Sequence, residues 1–242
     1  MFELKTKKLN MTLYEAWFPV KPFKTNGYSK ANFYFCLDNI QKDGFTDFRA
    51  TDSYYGFETK TSVIGILDLN KDIKEIYNNF RRDTKRSIKK FESPEINVNE
   101  NYGAFINMLN EFSIKRKLNI PKLSLDDVRQ HNHTLINAYI NKELIVSHFF
   151  LREKDFATLL FSCSKDSYAS ADISRCAHWH AIKLFKGNGI KIMSFGSTSY
   201  HNEKEKRITD FKMGFGLDEK NILYFSKTYS NMLKIIKKIR DK

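Results

Sequence analysis

The apolar positions of this chain change their rhythm several times, and each change marks an element. Up to Leu69 they come in short aromatic-rich runs. ANFYFCLDNI (31–40) and TSVIGILDL (61–69) have strand composition, and FTDFRATDSYYGFET between them is punctuated by Asp, Ser and Gly. From Asp68 the period becomes helical. Ile73, Ile76, Tyr77, Phe80, Thr84, Ile88 and Phe91 form one stripe, which predicts a single amphipathic helix over 68–91. EINVN (95–99) reads as a short strand, and a second helix near 101–117 buries Phe105, Met108, Leu109 and Phe112. Pro121 breaks the pattern, and LSLDDVRQH (123–131) reads as a short helix with Ser124 as its N-cap.

The middle of the chain alternates differently. LINAYIN (135–141), ELIVSHFFLR (143–152) and DFATLLFSCS (155–164) are strand-like, with tight turns at Asn141-Lys142 and Glu153-Lys154, so they predict an antiparallel meander. ISRCAHWHAIKLFKGNG reads as a helix closed by Gly187-Asn188-Gly189. IKIMSF (190–195) is then a buried strand, parallel to 155–164 because a helical crossover joins the two. A Gly-rich turn, the segment ITDFKMGFG, a strand at NILYFS (221–226) and a basic terminal helix complete the chain. There is no internal repeat and no low-complexity linker. The order implies an α/β layout on a mixed sheet.

Composition adds a size and a partner class. The 242 residues, 41% hydrophobic with 21 Phe and 12 Tyr, fit one large domain or one domain with a smaller appendage, and they exclude disorder. The net charge of +13 points to nucleic acid, an anionic surface or a phosphate-rich ligand; Lys-rich codon usage is the plainer explanation. Cys36, Cys163 and Cys176 are scattered and form no CxxC pair, which argues against a disulfide framework or a zinc site and suits a cytoplasmic location. No run approaches the ~20 apolar residues of a spanning helix, so a soluble protein is expected. Histidine spacing gives no metal site either. His178 and His180 would point apart on a helix, and nothing near His131 and His133 supplies further ligands.

Four segments resemble the Fem-like branch of the GNAT acyltransferase superfamily. SYYGFE (53–58) is similar to the aromatic-Gly turn before that family's first long helix. LDLNKDIKEIYNNFRRDTKRSIKKF (67–91) is similar to its "D-L-s … n-x-R-R-x-I-r-K" helix. The stretch from Phe156 to Phe195, ending in SFGS, resembles its "y-D-F-G-G" region, and DFKMGFG (210–216) its "F-K-x-x-F-G" phrase. The resemblance implies a GNAT-like fold with a reduced N-terminal lobe at 1–70 and an acyltransferase domain at 71–242. The departures are specific. No heptad arm is present, Ser194 and Ser197 replace the Asp and second Gly of the "D-F-G-G" phrase, and SKDSYASADIS stands where a GNAT chain has R/Q-x-x-G-x-G/A. A donor other than acyl-CoA therefore stays open.

By this resemblance the strand around Thr158–Ser164 parts from strand 190–195 to receive the thioester and pantetheine, with contacts at Phe161, Ser162, Cys163 and Ser164. Asp172, Ser174 and Arg175 at the following helix start would meet the CoA pyrophosphate, where a helix terminus favours anions. Lys212 matches the family's active-site lysine, which holds a substrate phosphate or stabilises developing charge; a plain exposed lysine on a tight turn is the alternative. Among the cations of 81–90, Arg81, Arg82, Lys85, Arg86, Lys89 and Lys90 outnumber the one carboxylate, Asp83. Lys85 and Arg86 are thus acceptor candidates, and Tyr54, Tyr55 and Tyr200 could stack on a base or sugar. His148 is the candidate general base, against a structural role for a lone strand histidine. Cys163 is expected as an apolar filler, since direct transfer needs no nucleophile.

The implied reaction moves an acetyl or short hydroxyacyl group, such as 3-hydroxybutanoyl, from acyl-CoA as co-substrate to the amine of a dTDP-linked amino-deoxy sugar, without a metal. This suits surface polysaccharide synthesis. The alternative is a Fem-type transferase that uses aminoacyl-tRNA to build a peptidoglycan bridge. A basic nucleic-acid-binding module is a third reading, for which no helix-turn-helix, zinc or RNA-recognition motif appears. The strand near the C-terminus permits a homodimer without requiring one.

Overall fold

The computed structural model describes residues 2–8, 11–17, 30–34, 58–91, 94–118, 120, 123–129, 132–166 and 170–228. The chain forms two compact units, Met1–Ser62 with Asn221–Lys242, and Val63–Lys220. In the first unit, β1 (Phe2–Lys8) and β2 (Met11–Trp17) form an antiparallel pair. β2 runs parallel to β3 (Lys30–Tyr34), which pairs antiparallel with β10 (Asp218–Thr228, from Asn221 onward) through Tyr34↔Tyr224. The aromatic turn at 53–57 and the terminal basic segment lie outside the described residues.

The second unit carries the α/β core. Its strands are β4 (Glu58–Asp68, from Val63 onward), β5 (Glu95–Val98), β6 (His133–Ile140), β7 (Glu143–Glu153), β8 (Phe156–Ser164) and β9 (Ile192–Ser197). They lie in the order β4-β9-β8-β7-β6-β5, antiparallel throughout except for the β8–β9 pair. The meander forms as its pattern requires. Asn141 and Lys142 both adopt positive φ, 49° and 66°, the geometry a two-residue hairpin turn needs.

Helices α1 (Ile73–Asn78), α2 (Arg82–Lys90), α3 (Tyr102–Lys115), α4 (Leu125–Arg129), α5 (Ser170–Gly187) and α6 (Glu203–Met213) complete the unit. Neighbouring β7 residues face opposite sides of the sheet. Phe149 stacks on Phe105 of α3, whereas Phe150 meets Phe185 of α5. So α3 covers one face and α5 the other, with α2 packed on α5. Ser124 caps α4, its Oγ accepting from the Asp127 backbone at 3.2 Å while the Asp127 carboxylate accepts from the Ser124 N–H at 2.8 Å. No helix among the described residues is long and apolar enough to cross a membrane.

Two expectations are corrected. The single helix over 68–91 is two helices, because the Arg81 N–H donates to the Gly214 carbonyl at 2.9 Å and its guanidinium to the Asp210 carbonyl. The first bond takes the backbone N–H that a continuous helix would have donated to the carbonyl four residues back, and the second fixes the side chain, while the apolar stripe runs on unbroken. The polar stretch before Gly214 is also a helix, α6. Asn202 caps it by accepting from the Glu205 N–H at 2.9 Å, so Lys212 stands in a last helical turn rather than on a tight turn.

Candidate active site

The β8–β9 pairing is short. It runs through Phe156↔Ile192, Ala157↔Met193 and Thr158↔Ser194, and then stops. On the other edge of β8 the register with β7 shifts, Phe149 facing Phe161 and Phe150 facing Leu159. The extra residue, Leu160, is a bulge, and a bulge bends its strand. Leu159–Ser164 therefore parts from Phe195–Ser197, leaving a wedge whose walls are strand backbone. Gly196 sits in that wedge at φ +77°. A Cβ there would lie 3.5 Å from the Leu159 carbonyl and 3.8 Å from Lys212 Nζ.

Lys212 is thereby placed at the opening. Its ammonium donates to the Ser197 carbonyl at 2.7 Å, and burial lowers its pKa to about 8. It remains mostly cationic at neutral pH, in surroundings that favour the neutral form. The ring of Phe211 next to it lies 5.2 Å under the Arg175 guanidinium and packs on Phe215. Phe215 in turn meets Phe195 of β9.

Beneath this aromatic layer lies a histidine pair. His148 of β7 and His178 of α5 are buried, with ring centroids 4.0 Å apart. His178 Nδ1–H donates to the Ser174 carbonyl one turn back at 2.8 Å, and its ring stacks on Phe195 at 4.9 Å. His148 Nε2 lies 3.2 Å from Ser174 Oγ, and no described residue partners its Nδ1. Burial drives both imidazoles towards neutrality. His178 is lowered to about 4, with Lys212 adding to the shift; His148 is held well below the usual range by burial and by His178. His148 thus faces α5 from within the core rather than solvent.

The helix start around Ser170 is tied to α2. Arg175 pairs with Asp83 at 2.9 Å and with Asp172 at 3.4 Å, and donates to Ser87 Oγ at 3.1 Å. Asp172 accepts from Ser87 Oγ at 2.6 Å and lies 3.6 Å from Lys90 Nζ. With 14% of its side chain exposed between two carboxylates, Arg175 is a bridge between α2 and α5. On β8, Phe161 is buried, Ser162 is exposed and Cys163 is buried, its thiol pushed up to about 12 by that burial. Ser164 lies at the strand's outer end, half-buried.

The remaining candidates scatter. Lys85 donates to the Asn78 carbonyl at 2.8 Å, which holds it at the end of α1, while Arg86 is exposed. Tyr200 is 54% exposed and bonded to the Glu219 carboxylate. Tyr54 and Tyr55 lie outside the described residues. Sequence reasoning missed His178, set aside as half of a poor metal pair, because only the crossing of β7 by α5 brings it to His148. It also missed Arg81 as the link to α6. The Asn202–Glu205 capping spacing was the available signal for that helix.

Comparison with solved structures gives the fold a context. FemX shares it at 10% sequence identity and a TM-score of 0.57, over 97% of this chain and 85% of that one. So does the C-terminal DUF2156 domain of an Agrobacterium fabrum protein assigned as a lysylphosphatidylglycerol synthetase, at 10% identity and a TM-score of 0.58, over 99% and 86% of the two chains. L-PGS from Bacillus licheniformis follows at 12% identity and 0.52, over 98% and 84%. No protein-family model matches the chain, and no curated protein matches its sequence. The mixed α/β architecture is thus the fold of FemX and of these two other structures.

Proposed function

We propose that the chain is an acyl-CoA-dependent N-acyltransferase. It moves an acetyl or short hydroxyacyl group directly to the amine of a nucleotide-linked amino-deoxy sugar, with dTDP as the nucleotide. The observation that carries this reading is the parting of β8 from β9 beyond Thr158 and Ser194, with Lys212 Nζ beside the gap. The β8 edge freed there offers backbone groups to an amide-bearing arm, as an exposed strand edge does for an extended peptide. The first turn of α5 offers the favourable end of a helix dipole to the donor's pyrophosphate. Arg175, committed to Asp83 and Asp172, supports that helix start from behind.

Amide formation requires an uncharged amine and relief of the negative charge that develops on the carbonyl oxygen. Lys212 supplies the charge, either to that oxygen or to a phosphate of the acceptor. The buried histidines shape the floor through Ser174 without touching substrate, so the amine's proton leaves to water. The test is thiol release from acetyl-CoA and 3-hydroxybutanoyl-CoA against a panel of dTDP-amino sugars. Acceptor-dependent release is expected. No release across the panel, with no heat of CoA binding, would remove the reading.

A second reading replaces the donor with aminoacyl-tRNA. The net charge of +13 favours it. Salt-sensitive tRNA binding together with aminoacyl transfer, and no response to CoA thioesters, would establish it instead.

A further inference from the structure

A cavity of about 810 Å³ opens between α1, α2, α5 and the start of β5, within the span of small-ligand sites. It shares no lining residue with the Lys212 wedge. On α5 the two sites diverge by side-chain direction, since His178 points into the core while Trp179 and His180 line the cavity. Its apolar wall is aromatic. Tyr77 and Trp179 lie 5.3 Å apart, with Phe80 braced edge-on behind Trp179 at 5.5 Å. Phe91, Ile88 and Ile96 continue that wall.

The rest of the lining is cationic. Lys74, Lys89 and Lys183 are exposed, and among the described residues no carboxylate lines the cavity with them. Neighbouring lysines are paired, Lys71 with Glu75 and Lys90 with Asp172. Among the described residues Lys74, Lys89 and Lys183 have no acidic partner. Lys183 Nζ instead lies 5.5 Å over the Trp179 ring. Solvated helix faces ordinarily mix their charges; here three cations from three helical turns surround one recessed aromatic wall. That wall costs solvation while it is empty, and the cations repel one another. Both are relieved by one kind of occupant, an apolar body that carries an anion.

We propose that this cavity is a separate binding site for a phosphate-bearing compound, its apolar body against Tyr77, Phe91 and Trp179 and its phosphate among Lys74, Lys89 and Lys183. The body is either a nucleotide base or an alkyl chain, and the two are told apart by experiment. The inference does not rest on the acyltransferase reading.

Trp179 is a built-in reporter. The chain has two tryptophans, so Trp17→Phe leaves Trp179 alone. Its fluorescence and the heat of binding are followed in the full chain against AMP, octyl phosphate, adenosine and inorganic phosphate. Saturable binding of AMP or of octyl phosphate is expected, and the arm that saturates identifies the body. Adenosine and inorganic phosphate bind at least about tenfold more weakly, as each lacks half of the contact set. The exposed pair Lys89→Ala/Lys183→Ala should weaken binding by about tenfold or more with an unchanged melting temperature, whereas Lys212→Met leaves it unchanged. No saturable binding of either amphiphile, equal binding of adenosine, or full binding by the double lysine variant overturns the proposal. Loss of thiol release with this binding intact would count against the acyltransferase reading alone.

Discussion

Lys212 Nζ donates to the carbonyl of Ser197 at 2.7 Å, fastening the last turn of α6 to the end of β9. The bond holds a cation where the sheet opens, and burial there favours the neutral amine. If Lys212 acts as proposed, function and stability pull in opposite directions at this residue.

Lys212→Met separates the two. The folded-state pKa of about 8 lies below the ordinary 10.5, so the cost of burying the cation is fully present below pH 8 and fades between pH 8 and 10.5. At pH 7 the variant should gain about 1 kcal/mol after losing the Ser197 bond, raising its melting temperature by a few degrees. The gain should shrink by pH 10. Turnover should fall about 100-fold or more, as when a charge-stabilising donor is removed. Parallel melting curves and thiol-release rates check both halves.

The histidine pair sets the acid limit. His178 and His148 have folded-state pKa values below the unfolded 6.5. Both states are neutral above pH 6.5, so the pair contributes no pH dependence there. As pH falls from 6.5 towards 4, the unfolded chain takes up protons that the folded chain refuses, and stability drops. For His178 alone the loss is on the order of 3 kcal/mol. Denaturant titrations at pH 7 and pH 5 should show a steeper loss for the native chain than for His178→Phe. Equal losses would mean that the pair is accessible to protons.

Arg175 tests the α2–α5 bridge. Its guanidinium is largely buried between Asp83 and Asp172 and lies over Phe211. Arg175→Met should cost about 2 kcal/mol by stranding the Asp172–Ser87 end of the network. Asp83→Asn should cost under about 1 kcal/mol, because that carboxylate is half-exposed. Urea unfolding measures both.

Two glycines should respond oppositely. Gly216 has φ +67°, and a Cβ there would stand 2.8 Å from the Asn79 carbonyl, so Gly216→Ala should lose about 2 kcal/mol or more. Gly187, the last residue of α5, has open space around its Cβ position. Gly187→Ala should be neutral or slightly stabilising by thermal melting.

What was legible in the sequence follows from how local its cause was. The β6–β8 meander was readable because alternation and the Asn141-Lys142 turn act over a few residues. The parallel β8–β9 pair followed from the crossover through α5. The break at Asn79–Arg81 was not readable, since its cause, the Gly214 and Asp210 carbonyls, lies far along the chain. α6 was hidden by its weak apolar face, with Thr209 alone buried. Of the candidate site, Lys212 was singled out through the DFKMGFG resemblance. Its partner is a backbone carbonyl, which carries no sequence signal, and His148 with His178 required the sheet itself to bring them together.

The most direct test of the central claim is backbone hydrogen exchange across β8 with and without saturating acetyl-CoA. Donor lodged where β8 leaves β9 should slow exchange within Leu159–Ser164 and around Gly196. The amides of α3, which packs on the opposite face of the sheet, should be unaffected. Unchanged exchange in Leu159–Ser164, at donor concentrations that support turnover or at any concentration tested, would contradict the account.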